Sequence, residues 1–198
     1  MTKQKTYALI GAIMFLALSA YVFTQFLAHH EIQVQTIGIP FNDPIMNVFP
    51  AVDVSVFIFS ITYGSMVLYA VLERKKSLFA HRIFIAYALL LWIRIVTLWL
   101  IPLAVPEDFI LLKDPFLNNL IYPGDIRADL FFSGHAGLLF TLYFISKHWS
   151  FLILGIILCF LLMMQRVHYS IDVIAAFPFS YLIVRITNIL TSRYSGGR

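Results

Sequence analysis

Two short segments of this 198-residue sequence stand out for side chains that could do chemistry together. One is Asp129-Leu-Phe-Phe-Ser133-Gly134-His135, the other Arg166-Val-His168-Tyr169-Ser170-Ile171-Asp172. His168 and Asp172 are four apart, a spacing that puts both on one face of a helix. A carboxylate there fixes the imidazole tautomer and stabilises its cation, leaving the other ring nitrogen free as nucleophile or base. In the first segment, Ser133 and Gly134 near a helix start would turn free backbone N–H groups toward an anion. With the helix taken from Leu130, His135 lies about 8 Å along it, shallow enough to meet water and lipid head groups. Other readings use the same side chains: two histidines on facing helices could ligate haem, and His135, His168 and Asp172 could form a two-His-one-carboxylate iron site. Both leave the Ser-Gly turn and the arginines unexplained, and an Asp in the same helix suits orientation better than ligation.

The elements that carry these segments are apolar. The chain is 61% hydrophobic and 12% charged, against about 45–50% and about 25% in an ordinary soluble domain. That composition excludes a soluble globular protein. A transmembrane helix needs about 20 mainly apolar residues, and six stretches qualify, at about 7–28, 54–72, 83–105, 130–146, 149–165 and 170–190. The expected fold is therefore an all-α polytopic membrane protein forming one catalytic domain, residues 1–198. Lys147 and His148 alone separate the fourth and fifth stretches, which predicts a tight hairpin. Alternating the connections puts Lys3, Lys5, Arg74, Lys75, Lys76, Arg82, Lys147, Arg193 and Arg198 on one side and Lys113, Arg127 and Arg166 on the other. By the positive-inside rule both termini are cytoplasmic, and both reactive segments then lie on the exoplasmic side. The start also has the charged front and apolar stretch of a signal peptide, so cleavage near Ala20 competes with a first span.

The remaining polar residues have simpler expected roles. Arg94, mid-span by sequence, must point into the bundle, either pairing with Asp129 or Asp172 or binding phosphate. His29, His30, His81 and His148 are expected as interfacial anchors, Arg74 to Lys76 as an anchor on anionic lipid, and Glu107, Asp108 and Asp114 as a solvated loop. Cys159, in an apolar run, has no partner for a disulfide or a CxxC site. Although the net charge is +4, no basic, aromatic-interleaved patch marks a nucleic-acid partner. The absence of a repeated half weighs against a transporter.

The Ser133-Gly134-His135 triplet and the His168 to Asp172 spacing resemble the type-2 phosphatidic acid phosphatase superfamily, whose members carry SGH at one helix start and HxxxD at a later one. The flanking letters, DLFFSGH and RVHYSIDVIAA, are similar to the sphingomyelin synthase branch, with its D-x-x-x-SGH and HY(S/T)-x-DV patterns. The likeness spans about residues 122–190, with Arg94-Ile-Val-Thr97 and Pro102 as a weaker earlier match. The phosphatase branch has an Arg where this chain has Leu162, and the synthase branch has Cys-Gly where it has Arg127-Ala128. The resemblance implies His168 as nucleophile, Asp172 as its orienting carboxylate and His135 as general acid, with no metal and no cofactor. Arg166, Arg94, Ser133, Gly134 and Asp129 are the residues expected around the phosphate and head group. The partners it implies are membrane lipids: a phospholipid donor and an acceptor that is a lipid alcohol such as ceramide or diacylglycerol. Water as acceptor would make the protein a lipid phosphatase or a phospholipase C-type hydrolase.

Overall fold

Among the described residues, long runs of Leu, Ile, Val and Phe, broken by proline and polar clusters, condense into six α-helices. They are α1 (Lys3–Ile37), α2 (Ser55–Glu73), α3 (Phe79–Leu100), α4 (Gly134–Ser146), α5 (Trp149–Met164) and α6 (Ser170–Ser195). This computed structural model describes residues 3–76, 79–114 and 126–195. The Gly196 to Arg198 tail and the middle of the connection before α4 fall outside them. Among the described residues there is no strand, only an isolated bridge between Ile39 and Leu103 and a 3-10 turn at Met46–Val48.

Four helices, α1, α2, α3 and α6, are long and apolar enough to cross a membrane, an architecture compatible with an integral membrane protein. The other two are shorter than the expected spans. α4 has 13 residues and α5 has 16, about 20 and 24 Å at 1.5 Å per residue against a hydrocarbon core of about 30 Å. The expectation that helix runs from Leu130 is corrected here. Ser133 sits at φ −58°, ψ 121°, and its hydroxyl accepts from Ala136 N–H, so it caps the helix instead of continuing it. Two other boundaries move for local reasons. α3 stops at Leu100 because Ile101 precedes Pro102 and is driven out of the helical region. α1 continues nine residues beyond position 28, since His29 to Ile37 are polar enough to end a hydropathy run but contain no helix breaker.

α4 lies at the centre, packed against α2, α3, α5 and α6, while α1 packs on α3. Helices consecutive in the chain run in opposite directions, so one end of the bundle gathers the C-termini of α1, α3 and α5 with the N-termini of α2, α4 and α6, and the packed pairs α1 with α3 and α4 with α6 are parallel. Cross-links fix that end. Ile39 N–H donates to Pro102 O at 2.7 Å, Val52 N–H to Met164 O at 3.0 Å and Ile110 N–H to Gln165 O at 3.3 Å. Lys147, with φ 65°, and His148 join α4 to α5 at the opposite end.

Candidate active site

The two sequence segments meet at this gathered end. Ser133 N–H donates to Asp172 O at 3.2 Å, so the cap of α4 is tied directly to the first turn of α6. His135 is in the first turn of α4, with its ring edge against Phe59, centroids 5.8 Å apart. It lies within electrostatic reach of His168, Asp129 and Arg94. The expected donation of Ser133 N–H to an anion is corrected by this bond. The open N–H groups of the turn are those of Gly134 and His135, which have no acceptor inside their own helix.

His168 stands just before α6, at 4% exposure, and Asp172 is fully buried. Nδ1 of His168 is 3.4 Å from Asp172 Oδ2. The same oxygen accepts the Tyr169 N–H at 2.9 Å, the return arm of a capping box that holds the carboxylate in place. His168 Nδ1 and Asp172 Oδ1 make no hydrogen bond, so the pair stands at ion-pair distance without one.

Arg94 points into the bundle, as expected, and its partner is Asp129, bonded through Nη2. Its Nε donates to Phe132 O at 2.9 Å, and its guanidinium lies over the Phe23 ring at 5.1 Å. Gly134 leaves room for it. A Cβ there would meet Arg94 Nη1 at 2.5 Å and Cζ at 3.0 Å. Arg94 Nη1 therefore lies against the turn that carries the open N–H groups, while Asp129, 29% exposed, borders it.

Arg166 is placed differently from the phosphate-binding role expected of it. It occupies the left-handed region at φ 60°, a strained position for a residue with a Cβ. Its guanidinium donates to Met46 O at 3.0 Å, Asn47 Oδ1 at 3.3 Å and Phe49 O at 2.8 Å, with Nε 3.0 Å from Asp108 Oδ2. From its place two residues before His168, it clamps the connection between α1 and α2.

Several expectations for the other polar residues change. Asp108 and Asp114 are not simply solvated: Asp108 faces Arg166, and Asp114 accepts from Tyr63 Oη at 2.6 Å within electrostatic reach of His135. Glu107 remains exposed. His30 and His81 are buried at 2% and 3%, not interfacial, His30 being stacked on Phe26.

Sequence reasoning also missed residues that support the site. Glu31 Oε2 accepts the N–H groups of Arg127 and Ala128 at 3.0 and 2.8 Å, fixing the approach to Asp129. Gln165 binds the start of α2 through Val54 N–H and Ser55 Oγ. Asp43, at 1% exposure, accepts from Ile45 N–H, Met46 N–H and both the N–H and hydroxyl of Ser170. Burial alone would raise its carboxyl, but those donors together hold it below the usual carboxylate value. The Asn42-Asp43-Pro44 triplet was its available signal, since Asp before Pro favours an Asx turn. Among the described residues no three His, Cys, Asp or Glu side chains are grouped as metal ligands would be. No family model, no curated protein and no solved structure matches this chain.

Proposed function

We propose that this chain is a membrane lipid phosphotransferase, similar to the sphingomyelin synthase branch, working through a phosphohistidine. The carrying observation is the Ser133 N–H to Asp172 O bond at 3.2 Å, because it joins the turn bearing His135 to the turn bearing His168 and Asp172. In this reading Asp172 holds the Nδ1 side of His168, and Nε2 attacks the phosphorus of a phospholipid. The bond from phosphorus to the diacylglycerol oxygen breaks, and His135 gives that oxygen its proton. A lipid alcohol such as ceramide then loses its proton to His135 while its oxygen attacks phosphorus and releases His168. Arg94 Nη1 and the N–H groups of Gly134 and His135 serve the equatorial oxygens, whose growing charge makes such donors effective. Asp129 borders the head group. Arg166 acts by holding the His168 turn.

The proposal includes six spans with both termini cytoplasmic and the site at the exoplasmic face, because nine Lys and Arg fall on the opposite connections and termini against three on this side. The two short helices complete their crossings with the extended residues that build the site.

The test uses purified protein in vesicles of labelled phosphatidylcholine or phosphatidylethanolamine, with and without ceramide or diacylglycerol. Transfer of the phospho-head-group to the lipid alcohol is expected. Release of phosphate or phosphobase at a rate indifferent to any lipid alcohol would replace the transferase with the hydrolase.

A further inference from the structure

The connection between α1 and α2 grips the His168 turn from both sides in sequence. Arg166, two residues before His168, donates to Met46 O, Asn47 Oδ1 and Phe49 O. Ser170, two residues after it, gives both its N–H and its hydroxyl to Asp43. Asp43 is itself rigid, because Oδ1 also accepts Ile45 N–H and Met46 N–H, each at 3.0 Å. A buried carboxylate with this many donors is charged and fixed, and it faces the N-terminus of α6, where negative charge is stabilised. Ser170 N–H is among the first-turn donors of α6 that have no acceptor within the helix. Asp43 satisfies it from 127 positions away in the chain.

We infer that Asp43 is a positioning residue for the His168–Asp172 pair, an inference that rests on the phosphotransfer reading. Asp172 is the third residue of α6, and its carboxylate is aimed by accepting Tyr169 N–H. The 3.4 Å approach to His168 therefore depends on where the Tyr169–Ser170 backbone lies. Asp43 sets that position through Ser170. In Asp43→Asn the amide keeps the size but presents N–H to at least one of the present donors, so the turn must shift. A displacement of about 1 Å between reacting groups lowers turnover about a hundredfold, whereas binding of the lipid body is unaffected.

The experiment follows His168 directly. Full-length protein in detergent is treated with diethylpyrocarbonate at one pH, and modification of each histidine is timed by mass spectrometry. In the unaltered chain His168 should react slowly, being 5% exposed in its side chain. Asp43→Asn should raise its rate about fivefold or more, as burial is relieved, while His148 at the far end keeps its rate. In the vesicle assay kcat should fall about tenfold to a hundredfold with KM within about twofold. Ser170→Ala, which deletes only the hydroxyl bond, should move His168 the same way by about threefold and serves if Asp43→Asn does not fold. A lowered melting temperature with an unchanged His168 rate in the folded variants would overturn the inference and leave Asp43 a loop anchor. A changed His168 rate in a chain whose unaltered form transfers no lipid head group would uphold the positioning and overturn the phosphotransfer reading.

Discussion

At the end of the bundle that holds His135 and His168, charged side chains lie inside and are held by distant parts of the chain. Arg94 reaches Asp129 across 35 positions, and Asp43 reaches Ser170 across 127. At the opposite end Glu73 is also buried, but its contacts are Lys76, three residues on and 59% exposed, and His148, 45% exposed at 3.5 Å. Both ends place a carboxylate away from water. The far end has a distant contact too, Arg82 Nη2 donating to Asn188 Oδ1 at 2.6 Å, but that bond is exposed, whereas at the first end Asp43 is held by buried donors, Met46 N–H and Ser170, the kind of fixed polar surround that the proposed chemistry needs. The second end joins α2 to α3 and α4 to α5. Function is therefore expected to fail on substitution at the first end and to persist at the second.

The sharpest break in that comparison comes from the proposed nucleophile. His168→Ala should form no phosphoenzyme from labelled phospholipid, whereas His135→Ala should still form it from a donor with an activated leaving group, because such a group departs without a proton. Asp172→Asn should keep the fold but lower turnover about a thousandfold or more, since an amide favours the wrong tautomer and cannot stabilise the imidazolium. Acid-labile labelling in detergent, with the helical circular dichroism as the fold control, reads all three. Full labelling of His168→Ala would remove the nucleophile and with it the assigned mechanism.

A smaller effect is expected at Gly134. A methyl group there meets a guanidinium already bound to Phe132 O and Asp129, so Arg94 has to yield and its Nη1 leaves the turn. Gly134→Ala should lower turnover about a hundredfold, the lower end of what loss of one proposed oxyanion donor costs. Gly64→Ala, in α2, has nothing within 4 Å to meet and should leave turnover unchanged. Equal losses in the two variants would show that the methyl acts through general packing rather than through Arg94.

The sequence discloses these two ends unequally. Apolar run length located all six helices, because burial in lipid or protein demands continuous hydrophobicity, and the positions of Pro102 and Ser133 set two of the boundaries that run length missed. The His168–Asp172 approach was legible because it is local, a four-residue spacing, whereas the meeting of the Ser133–His135 turn with it could be expected only from both segments falling on one side of the membrane. The Arg94–Asp129 pair was legible as one of several pairings, since a mid-span charge has few partners to choose from. Asp43, Glu31 and Gln165 were not, because each binds backbone or side chains about 100 or more positions away, and no periodicity encodes such a contact. Arg166 was expected near the phosphate from its place two residues before His168 and from the resemblance. Its left-handed backbone turns the guanidinium onto Met46 and Phe49 instead.

The smallest effect belongs to the far end. Glu73→Gln removes the charge but leaves an amide oxygen that can still accept from Lys76 Nζ, now 2.7 Å from the carboxylate. Since Lys76 and His148 are both substantially exposed, the attraction of Lys76 is screened, and a pair of this kind contributes about 0–1 kcal/mol. Loss of the ion pair is also offset, because a neutral amide is easier to keep out of water than a carboxylate. The melting temperature should therefore move by no more than a few degrees, about what 1 kcal/mol produces in a chain of this size. Turnover in vesicles should stay within about twofold, as no interaction made in the transition state is removed. If Glu73→Gln instead lowered turnover as much as Gly134→Ala while leaving the melting temperature unchanged, the two ends would be coupled through α2 and α4, and the far end would have to be counted as part of the working site.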